Sequence, residues 1–193
     1  MIERVLFLGE ENCTLLNWLR HQGEDVFQTC GPISPNRVKE LGATFLVSYG
    51  YRHILRKDVL DLFPGRAINL HISYLPWNRG ADPNFWSFVE NTPKGVTIHY
   101  IDEGLDTGDI LLQKKITFAL EQETLASSYR KLHEAIQQLF IENWIFIKEG
   151  RLQGQPQAGE GTLHKTVQMQ MYASLLTDGW DTPVSKLVGL STK

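Results

Sequence analysis

Two polar residues that could do chemistry stand two places apart in an otherwise apolar segment. They are Asn69 and His71, in the run INLHIS at residues 68–73. Alternate side chains of an extended strand share a face, so the carboxamide and the imidazole are predicted to lie side by side. A carboxamide can stabilise a developing oxyanion, and a neutral imidazole can accept a proton near neutral pH. The pair therefore suits acyl transfer to an amine, although on spacing alone a polar strand end satisfied by neighbouring loops is the commoner explanation.

The loop at residues 102–109 is rich in glycine and carries four carboxylates, those of Asp102, Glu103, Asp106 and Asp109. One of them could orient His71 and stabilise its imidazolium, as the acidic member of a catalytic triad does. A solvated acidic turn is the alternative and the commoner origin of such a run of charge. A calcium loop is disfavoured, because the spacing lacks the alternating oxygen ligands and the distal glutamate.

Other polar side chains are weaker candidates. His99 faces away from Val96 and Ile98 in a predicted strand and is interpreted as a structural histidine, with a second base as the alternative. Arg79 precedes a predicted helix start at Asp82, where it could receive an anionic or hydroxyl-rich substrate; a surface arginine is the alternative. No metal is predicted, because the remaining histidines and the two cysteines lack metal-ligand spacing.

Alternating strand-like and helix-like segments lead up to these residues. Apolar runs predict four strands, at residues 4–8, 25–29, 43–48 and 66–72. Helices are predicted between them, one from Asn12 to His21 and one that begins after an N-cap at Ser34. Such alternation indicates an open α/β sheet of mostly parallel strands with flanking helices. Because ligands of such sheets bind outside the carboxyl ends of the strands, Asn69 and His71 are predicted to face a site.

The second half of the chain is predicted to brace this sheet. Alternation at residues 95–101 and an apolar run at 110–118 predict two more strands, and Asp82 is predicted to cap a helix that begins at Pro83. Apolar residues at spacings of three and four predict a long helix over residues 122–148. Residues 151–193 are too few for an independent core and are predicted to form an appendage on the main domain.

Composition and the first turn argue against several functions. The turn after the first strand contains Gly9, Glu10 and Glu11 but neither the glycine pattern of a dinucleotide site nor a P-loop lysine. A net charge of −3 argues against nonspecific nucleic-acid binding. No apolar stretch approaches the roughly 20 residues of a membrane span. The two cysteines fit a reducing, cytoplasmic setting.

Several motifs, taken in order, resemble the formyltransferase family that uses 10-formyltetrahydrofolate. They are NLHISYLP at residues 69–76, Arg79-Gly80, GVTIH at 95–99 and DTGDIL at 106–111. The resemblance implies a Rossmann-like catalytic domain in residues 1–150 and a C-terminal extension, residues 151–193, packed on it. It also implies that Asn69 polarises the formyl group and holds the oxyanion, that His71 is the general base, and that Asp106 fixes His71 and assists proton transfer.

The resemblance further implies where the ligands lie. The pterin of the folate is expected against the backbone of three loops, with these residues in contact: Tyr49, Gly50, Tyr51, Arg52, Leu75, Pro76, Trp77, Asn78, Ile101, Asp102, Gly104 and Leu105. The acceptor substrate is expected at Trp77, Arg79 and Gly80. No metal is implied.

Within the family, residues 74–88 and 179–184 are most similar to the sugar N-formyltransferases. Their acceptor is typically a dTDP-linked 4-amino-4,6-dideoxyhexose used for bacterial surface polysaccharide. The implied partners are folate and a nucleotide sugar, with no nucleic acid or membrane; a homodimer is a further expectation. The alternatives are a phosphoribosylglycinamide formyltransferase, a formyltetrahydrofolate hydrolase and a non-catalytic folate- or nucleotide-binding module. The basic barrel of methionyl-tRNA formyltransferases and the regulatory domain of the hydrolases are not expected in 193 residues.

Overall fold

The computed structural model describes residues 2–11 and 13–190. Its strands are β1 (Arg4–Gly9), β2 (Asp25–Thr29), β3 (Phe45–Tyr49), β4 (Ala67–His71), β5 (Arg79–Gly80), β6 (Gly95–Tyr100), β7 (Ile110–Lys115) and β8 (Leu163–His164). Its α-helices are α1 (Thr14–His21), α2 (Pro35–Leu41), α3 (Lys57–Leu60), α4 (Pro83–Val89), α5 (Leu125–Lys148) and α6 (Thr166–Met169).

Six strands form the central sheet in the order β2-β1-β3-β4-β6-β7. The first four are parallel, and β6 and β7 continue the sheet in antiparallel pairing beyond β4. This confirms the predicted open α/β sheet of mostly parallel strands with flanking helices. It also places β4 at the junction where the strand direction changes.

Helices cover both faces of the sheet. Alternate residues of β1 belong to two different cores: Val5 and Phe7 pack in the cluster that includes residues of α1, α4 and α5, whereas Leu6 and Leu8 pack in the cluster that includes residues of α2 and α3. Burial of both faces explains why these strands read as nearly continuous apolar runs. None of the helices within residues 2–11 and 13–190 is both long and apolar enough to cross a lipid bilayer.

The ends of α2 form as predicted. The Ser34 side chain accepts a hydrogen bond from the Arg37 amide at 3.3 Å, and Pro35 occupies the first turn. At the other end Gly42 adopts a left-handed conformation with φ of 60°. Local sequence signals are therefore sufficient to delimit this helix.

Two other helix starts and the cap of a third helix differ from their predictions. α1 begins at Thr14 rather than at Asn12, which lies outside the described residues. α5 begins at Leu125 rather than at residue 122, because Thr124 and Ser127 form a reciprocal capping box. The predicted side-chain cap by Asp82 is wrong: α4 does begin at Pro83, but Asp82 has φ of 52° and its side chain makes no cap hydrogen bond.

Residues 151–190 contact β5 and the start of β7. Gln155 forms an antiparallel bridge with Ile110 at the start of β7, and β8 pairs in parallel with β5. Farther along, Val184 and Leu187 are fully buried in the core cluster that contains α5. The extension therefore contributes both to the core and to the edge of the sheet that carries the polar residues described next.

Candidate active site

Three sheet elements bring the predicted polar residues together. Asn69 and His71 lie within the last three positions of β4, and Asn69 pairs in register with His99 of the antiparallel neighbour β6. Asp106 comes from the turn between β6 and β7. Because β6 runs antiparallel to β4, the turn at its end lies alongside β4, which brings the acidic loop to the polar face of β4.

Asp106 is the centre of the cluster. One of its carboxylate oxygens, Oδ1, accepts a hydrogen bond from Asn69 Nδ2 at 3.0 Å and lies 3.4 Å from His99 Nε2. The other oxygen, Oδ2, accepts from the Gly80 amide at 2.8 Å and lies 3.7 Å from His71 Nδ1. The structure thus brings together Asn69, His71 and Asp106, and adds His99 to them.

The turn that carries Asp106 is shaped by its acidic and glycine residues. Asp102 Oδ1 accepts hydrogen bonds from the Gly104 amide at 3.0 Å and the Thr107 hydroxyl at 2.6 Å. A Cβ atom at Gly108 would lie 1.9 Å from the Tyr100 carbonyl oxygen, so this position requires glycine. Asp106 itself has φ of 55°, in the left-handed region. The acidic loop is therefore a folded turn rather than a merely solvated run of charge.

The environment of Asp106 favours its ionised form. Burial alone would raise the pKa of Asp106, but the His71 and His99 imidazoles and the Gly80 amide oppose this effect. Together they hold the pKa of Asp106 well below its usual range. The carboxylate is therefore charged at neutral pH and attracts positive charge on either imidazole.

Backbone carbonyls determine the tautomers of the two imidazoles. His71 Nε2 lies 3.0 Å from the Asn78 carbonyl oxygen, and His99 Nδ1 lies 2.7 Å from that of Tyr100. A carbonyl oxygen can only accept, so each of these nitrogens carries a proton. In the neutral rings the lone pair is then on Nδ1 of His71 and on Nε2 of His99, the two nitrogens that face Asp106.

A cavity of about 270 Å³ opens beside Asn69 and Asp106. Eight of the predicted site residues line it: Tyr51, Arg52, Asn69, Ile101, Asp102, Gly104, Leu105 and Asp106. Sequence analysis did not single out six others in the lining, Ser48, His53, Ile54, Leu55, His99 and Glu103, as ligand contacts. Most of this lining comes from the segments after β3 and β6, two of the three loops expected to contact the folate.

The remaining predicted residues do not line this cavity. Tyr49 points to the opposite face, where its hydroxyl contacts His133 Nδ1 and accepts a hydrogen bond from Gln137. The neighbouring Gly50 has φ of 69° and reverses the chain after β3. Any contact between Tyr49 and a ligand in this cavity would therefore involve its backbone.

The loop between β4 and α4, which contains Leu75, Pro76, Trp77, Asn78, Arg79 and Gly80, covers His71 instead. Asn78 is fully buried: its carbonyl faces His71, and its amide N–H donates to the Thr162 hydroxyl at 2.9 Å. The Arg79 guanidinium donates two hydrogen bonds to the Gln157 side chain. This loop is thus held by residues 151–190.

Sequence reasoning missed the roles of His99 and of the extension. Strand alternation placed His99 on the correct face, but its meeting with Asn69 depends on the register between β4 and β6. Gln157 and Thr162 lie in a polar segment with no motif. Within residues 2–11 and 13–190, no three His, Cys, Asp or Glu side chains are grouped so that they could hold a metal ion.

An α/β sheet whose edge presents a carboxamide, two imidazoles and a carboxylate beside a cavity is the arrangement expected of an enzyme that transfers acyl groups. Comparison with known proteins is more specific. Residues 34–143, more than half of the sequence, match the Formyl transferase family. The chain belongs to this family.

Similarity extends along the whole chain for one solved structure. The formyltransferase PseJ from Anoxybacillus kamchatkensis is 47% identical with a TM-score of 0.93, and the match covers 98% of this chain and 100% of that one. Its crystal structure contains UDP-4,6-dideoxy-4-formamido-L-AltNAc and tetrahydrofolate. A 4-N formyltransferase from Francisella tularensis, 20% identical with a TM-score of 0.73 over 88% of this chain and 78% of its own, shares the fold.

Curated relatives match over a shorter region. A methionyl-tRNA formyltransferase from Thermodesulfovibrio yellowstonii is 40% identical over 129 residues, which are 65% of this chain and 41% of the relative. One from Ruminiclostridium cellulolyticum is 34% identical over 63% of this chain and 39% of its own. The chain thus spans about two fifths of the length of these relatives.

Proposed function

We propose that this protein transfers the formyl group of 10-formyltetrahydrofolate to the amine of a nucleotide-linked 4-amino sugar. The observation that carries the proposal is the convergence of Asn69, His71 and Asp106 beside a cavity. The likeness to PseJ along 98% of the chain supports the sugar acceptor, because that match includes the extension that contacts the site. Sequence similarity to methionyl-tRNA formyltransferases covers at most 65% of the chain among the curated relatives compared.

The reaction joins an amine nitrogen to the formyl carbon. As that C–N bond forms, the carbonyl oxygen becomes an oxyanion, which in this proposal the Asn69 carboxamide stabilises by donating a hydrogen bond. The tetrahedral intermediate then breaks the C–N bond to the folate nitrogen, which takes up a proton. The acceptor amine loses a proton. In the net reaction a formyl group replaces a hydrogen on the acceptor nitrogen, and a hydrogen replaces the formyl group on the folate nitrogen. Holding both reactants beside the same three side chains accounts for a further part of the rate, since proximity alone is worth several kcal/mol.

His71 is the proposed base, and its tautomer indicates which atom accepts the proton. The Asn78 carbonyl keeps Nε2 protonated, so the lone pair available to the amine proton is that of Nδ1. A proton placed on Nδ1 faces Asp106 Oδ2 at 3.7 Å, where the negative charge stabilises the imidazolium. In this proposal Asp106 assists the proton transfer by electrostatics and by its hydrogen bonds to Asn69 and Gly80.

The 270 Å³ cavity is the proposed site of the pterin. Tyr51, Arg52, Ile101, Asp102, Gly104 and Leu105 would contact it directly. Tyr49, Gly50 and the loop at residues 75–78 would contribute backbone contacts, as the family resemblance implies. The proposed chemistry requires no metal, because the leaving group is an amine of the folate and the oxyanion has a hydrogen-bond donor in Asn69.

The acceptor is proposed to bind at Trp77, Arg79 and Gly80. The sequence resemblance points to a dTDP-linked amino sugar, whereas PseJ holds a UDP-linked 4-formamido sugar. Because PseJ is 47% identical to this chain, against 20% for the 4-N formyltransferase, we favour a UDP-linked 4-amino-4,6-dideoxy sugar as the acceptor. A homodimer, a cytoplasmic location and a role in surface polysaccharide remain predictions from the sequence.

A steady-state assay with 10-formyltetrahydrofolate and a panel of amines tests this proposal. The panel contains UDP- and dTDP-linked 4-amino-4,6-dideoxy sugars, glycinamide ribonucleotide and methionyl-tRNA, and the folate and N-formyl products are measured separately. We expect equal amounts of both products with a nucleotide sugar. Formate release without an acceptor would indicate a hydrolase, and ligand binding without turnover would indicate a binding module. Preference for the ribonucleotide or the tRNA would likewise overturn the proposed acceptor.

A further inference from the structure

The Gln157 carboxamide links two parts of the site through four hydrogen bonds. Its Oε1 atom accepts from Nε and Nη2 of Arg79, at 3.1 and 2.7 Å. Its Nε2 atom donates to the backbone carbonyls of Asp106 and Gly108, at 2.8 and 2.9 Å. Four is the full hydrogen-bonding capacity of a carboxamide. Both hydrogen-bond donors and both acceptor lone pairs of this side chain are therefore used within the site.

These partners define the residue type at position 157. Guanidinium N–H groups require an acceptor and backbone carbonyls require a donor. A reversed amide would therefore place its NH₂ group against the guanidinium N–H groups and its oxygen against the two carbonyl oxygens. Glutamate lacks the donors, lysine lacks the acceptor, and asparagine is one methylene too short to span the same partners. Glutamine matches both sides.

The Asp106 side of this bridge holds a turn with an unfavourable backbone conformation. Asp106 has φ of 55°, which is uncommon for a residue with a Cβ. The start of the turn is held by the Asp102 side chain, and its end by the Tyr100 amide, which donates to the Asp109 carbonyl at 2.9 Å. Gln157 holds the carbonyls of Asp106 and Gly108 between these two ends. It therefore helps to determine where the Asp106 carboxylate points.

The Arg79 side of the bridge fixes a cation without neutralising it. Within the described part of the chain Arg79 donates to the neutral Gln157 oxygen and forms no ion pair with a carboxylate. The next residue, Gly80, donates its amide to Asp106 Oδ2. The Arg79 guanidinium therefore keeps a positive charge that can bind an anionic group, such as a diphosphate. This charge lies close to the Asp106 carboxylate, which faces the proposed base His71.

We propose that Gln157 is a positioning residue for formyl transfer, which aligns the Asp106 carboxylate and the Arg79 guanidinium with each other from the C-terminal extension. This inference rests on the proposed function. It makes Gln157, Thr162 and His164 part of the catalytic unit, because the backbone of the last two also binds the segment at residues 79–81. The Arg79 amide donates to the Thr162 carbonyl and the Ala81 amide to the His164 carbonyl, both at 2.9 Å.

The first test compares Gln157→Leu with Gln155→Leu in the full chain. Gln155 is a matched control: the same substitution, two residues away, on an exposed side chain without a hydrogen bond to the described residues. We expect Gln157→Leu to lower kcat about 10- to 100-fold, because small displacements of catalytic groups have effects of that order. The KM for the nucleotide sugar should rise, the KM for the folate should change little, and Gln155→Leu should resemble wild type. A kcat for Gln157→Leu within twofold of that of Gln155→Leu would overturn the proposal.

Two further variants separate the two sides of the bridge. Gln157→Glu keeps an acceptor for Arg79 but repels the carbonyls of Asp106 and Gly108, so kcat should fall at least as far as in Gln157→Leu. Gln157→Asn keeps the carboxamide but shortens the side chain by one methylene, so its kcat should be similar to that of Gln157→Leu. If Gln157→Leu does not fold, Gln157→Asn is tested in its place. Wild-type kcat in either variant contradicts the proposed bridge.

A readout independent of turnover is the set of NMR chemical shifts of the His71 and His99 ring nitrogens. His71 Nδ1 lies 3.7 Å and His99 Nε2 lies 3.4 Å from the Asp106 carboxylate, so both sets of shifts should change in Gln157→Leu and stay in place in Gln155→Leu. A lower melting temperature with unchanged ring-nitrogen shifts and unchanged kcat would mean a merely structural role and would refute the proposal. If wild-type protein formylates no amine, the proposed function fails, and the ring-nitrogen shifts still decide whether Gln157 positions Asp106.

Discussion

Two buried carboxylates, Asp106 and Glu24, lie in different parts of the molecule and differ in their partners. The Glu24 carboxylate accepts hydrogen bonds from Lys148 Nζ at 2.6 Å, from the Trp144 indole at 2.9 Å and from the Glu3 amide at 2.7 Å. These contacts join the end of α5 to the starts of β1 and β2. Asp106 instead faces two imidazoles, a carboxamide and a backbone amide beside a cavity.

The same physical balance acts at both sites. Burial raises the pKa of each carboxyl group, and hydrogen bonds and positive charge lower it further than burial raises it. A lowered carboxyl pKa therefore does not by itself mark a catalytic site. The difference lies in the chemical type of the partner: Glu24 faces a lysine and Asp106 faces two histidines. A lysine side chain ordinarily keeps its charge near neutral pH, whereas an imidazole can gain and lose a proton there. The first arrangement stabilises a fold, and the second can move protons.

The largest expected effect is on turnover, in the variants Asp106→Asn and His71→Ala. Asp106→Asn removes the negative charge that stabilises the imidazolium, and asparagine tolerates the left-handed backbone, so the fold should be retained. We expect kcat to fall about 10²- to 10⁴-fold in both variants, the usual range for loss of acid–base assistance. Steady-state assays measure this change, and circular dichroism checks the fold. A folded His71→Ala protein with a wild-type rate would refute the assigned base.

Glu24→Gln should show the opposite pattern. It removes the charge that faces the Lys148 ammonium, and breaking a buried ion pair costs about 3–5 kcal/mol of the free energy of unfolding. Urea denaturation measures this loss, with Glu121→Gln, an exposed carboxylate of the same chain, as the control. kcat and KM should be unchanged. A large loss of kcat in folded Glu24→Gln would erase the distinction between the two carboxylates.

The pH dependence of stability sharpens the same comparison. The pKa of Glu24 is lower in the folded protein than its ordinary value of 4.5, so the native state binds fewer protons than the unfolded state. The stability that Glu24 contributes is therefore complete above about pH 4.5 and is lost as the pH falls below that value. The difference in unfolding free energy between wild type and Glu24→Gln should shrink accordingly between neutral pH and pH ~3. A difference that stays constant over this range would contradict the ion pair.

The smallest effect concerns His133, an imidazole buried between the Tyr49 hydroxyl and the Tyr129 ring. Burial lowers the pKa of His133 to about 4, so its ring is neutral at physiological pH. The stability linked to this group is complete above the ordinary pKa of 6.5 and is lost as the pH falls towards about 4. NMR titration of the ring should give a midpoint near that value; a midpoint near 6.5 would show that the ring is solvated.

Much of the fold could be predicted because its signals are local. The strand at residues 25–29 has the predicted bounds, and the ends of β3 and β4 differ from their predictions by two residues or fewer. Asn69 and His71 were found because strand alternation has a fixed period. Local signals did not reveal that Asp82 fails to cap α4, because they do not show the left-handed backbone conformation that this residue takes.

The site required more than local signals. The residues alone left four carboxylates as equal candidates for the partner of His71, and a family resemblance was needed to choose Asp106. His99 was interpreted as structural because nothing in its own strand shows that Asn69 lies opposite it. Gln157, 51 positions from Asp106 along the chain, carries no motif at all.

The sequence by itself determined which segments are strands and helices, and which strand carries the carboxamide and the imidazole. Those properties depend on periodicity and capping within about ten neighbouring residues. Only the tertiary structure decided that His99 lies opposite Asn69 and that Gln157 binds the turn that carries Asp106. Such meetings depend on strand register and on the backbone path of a tight turn, and both are set by the packing of the whole sheet rather than by any one segment.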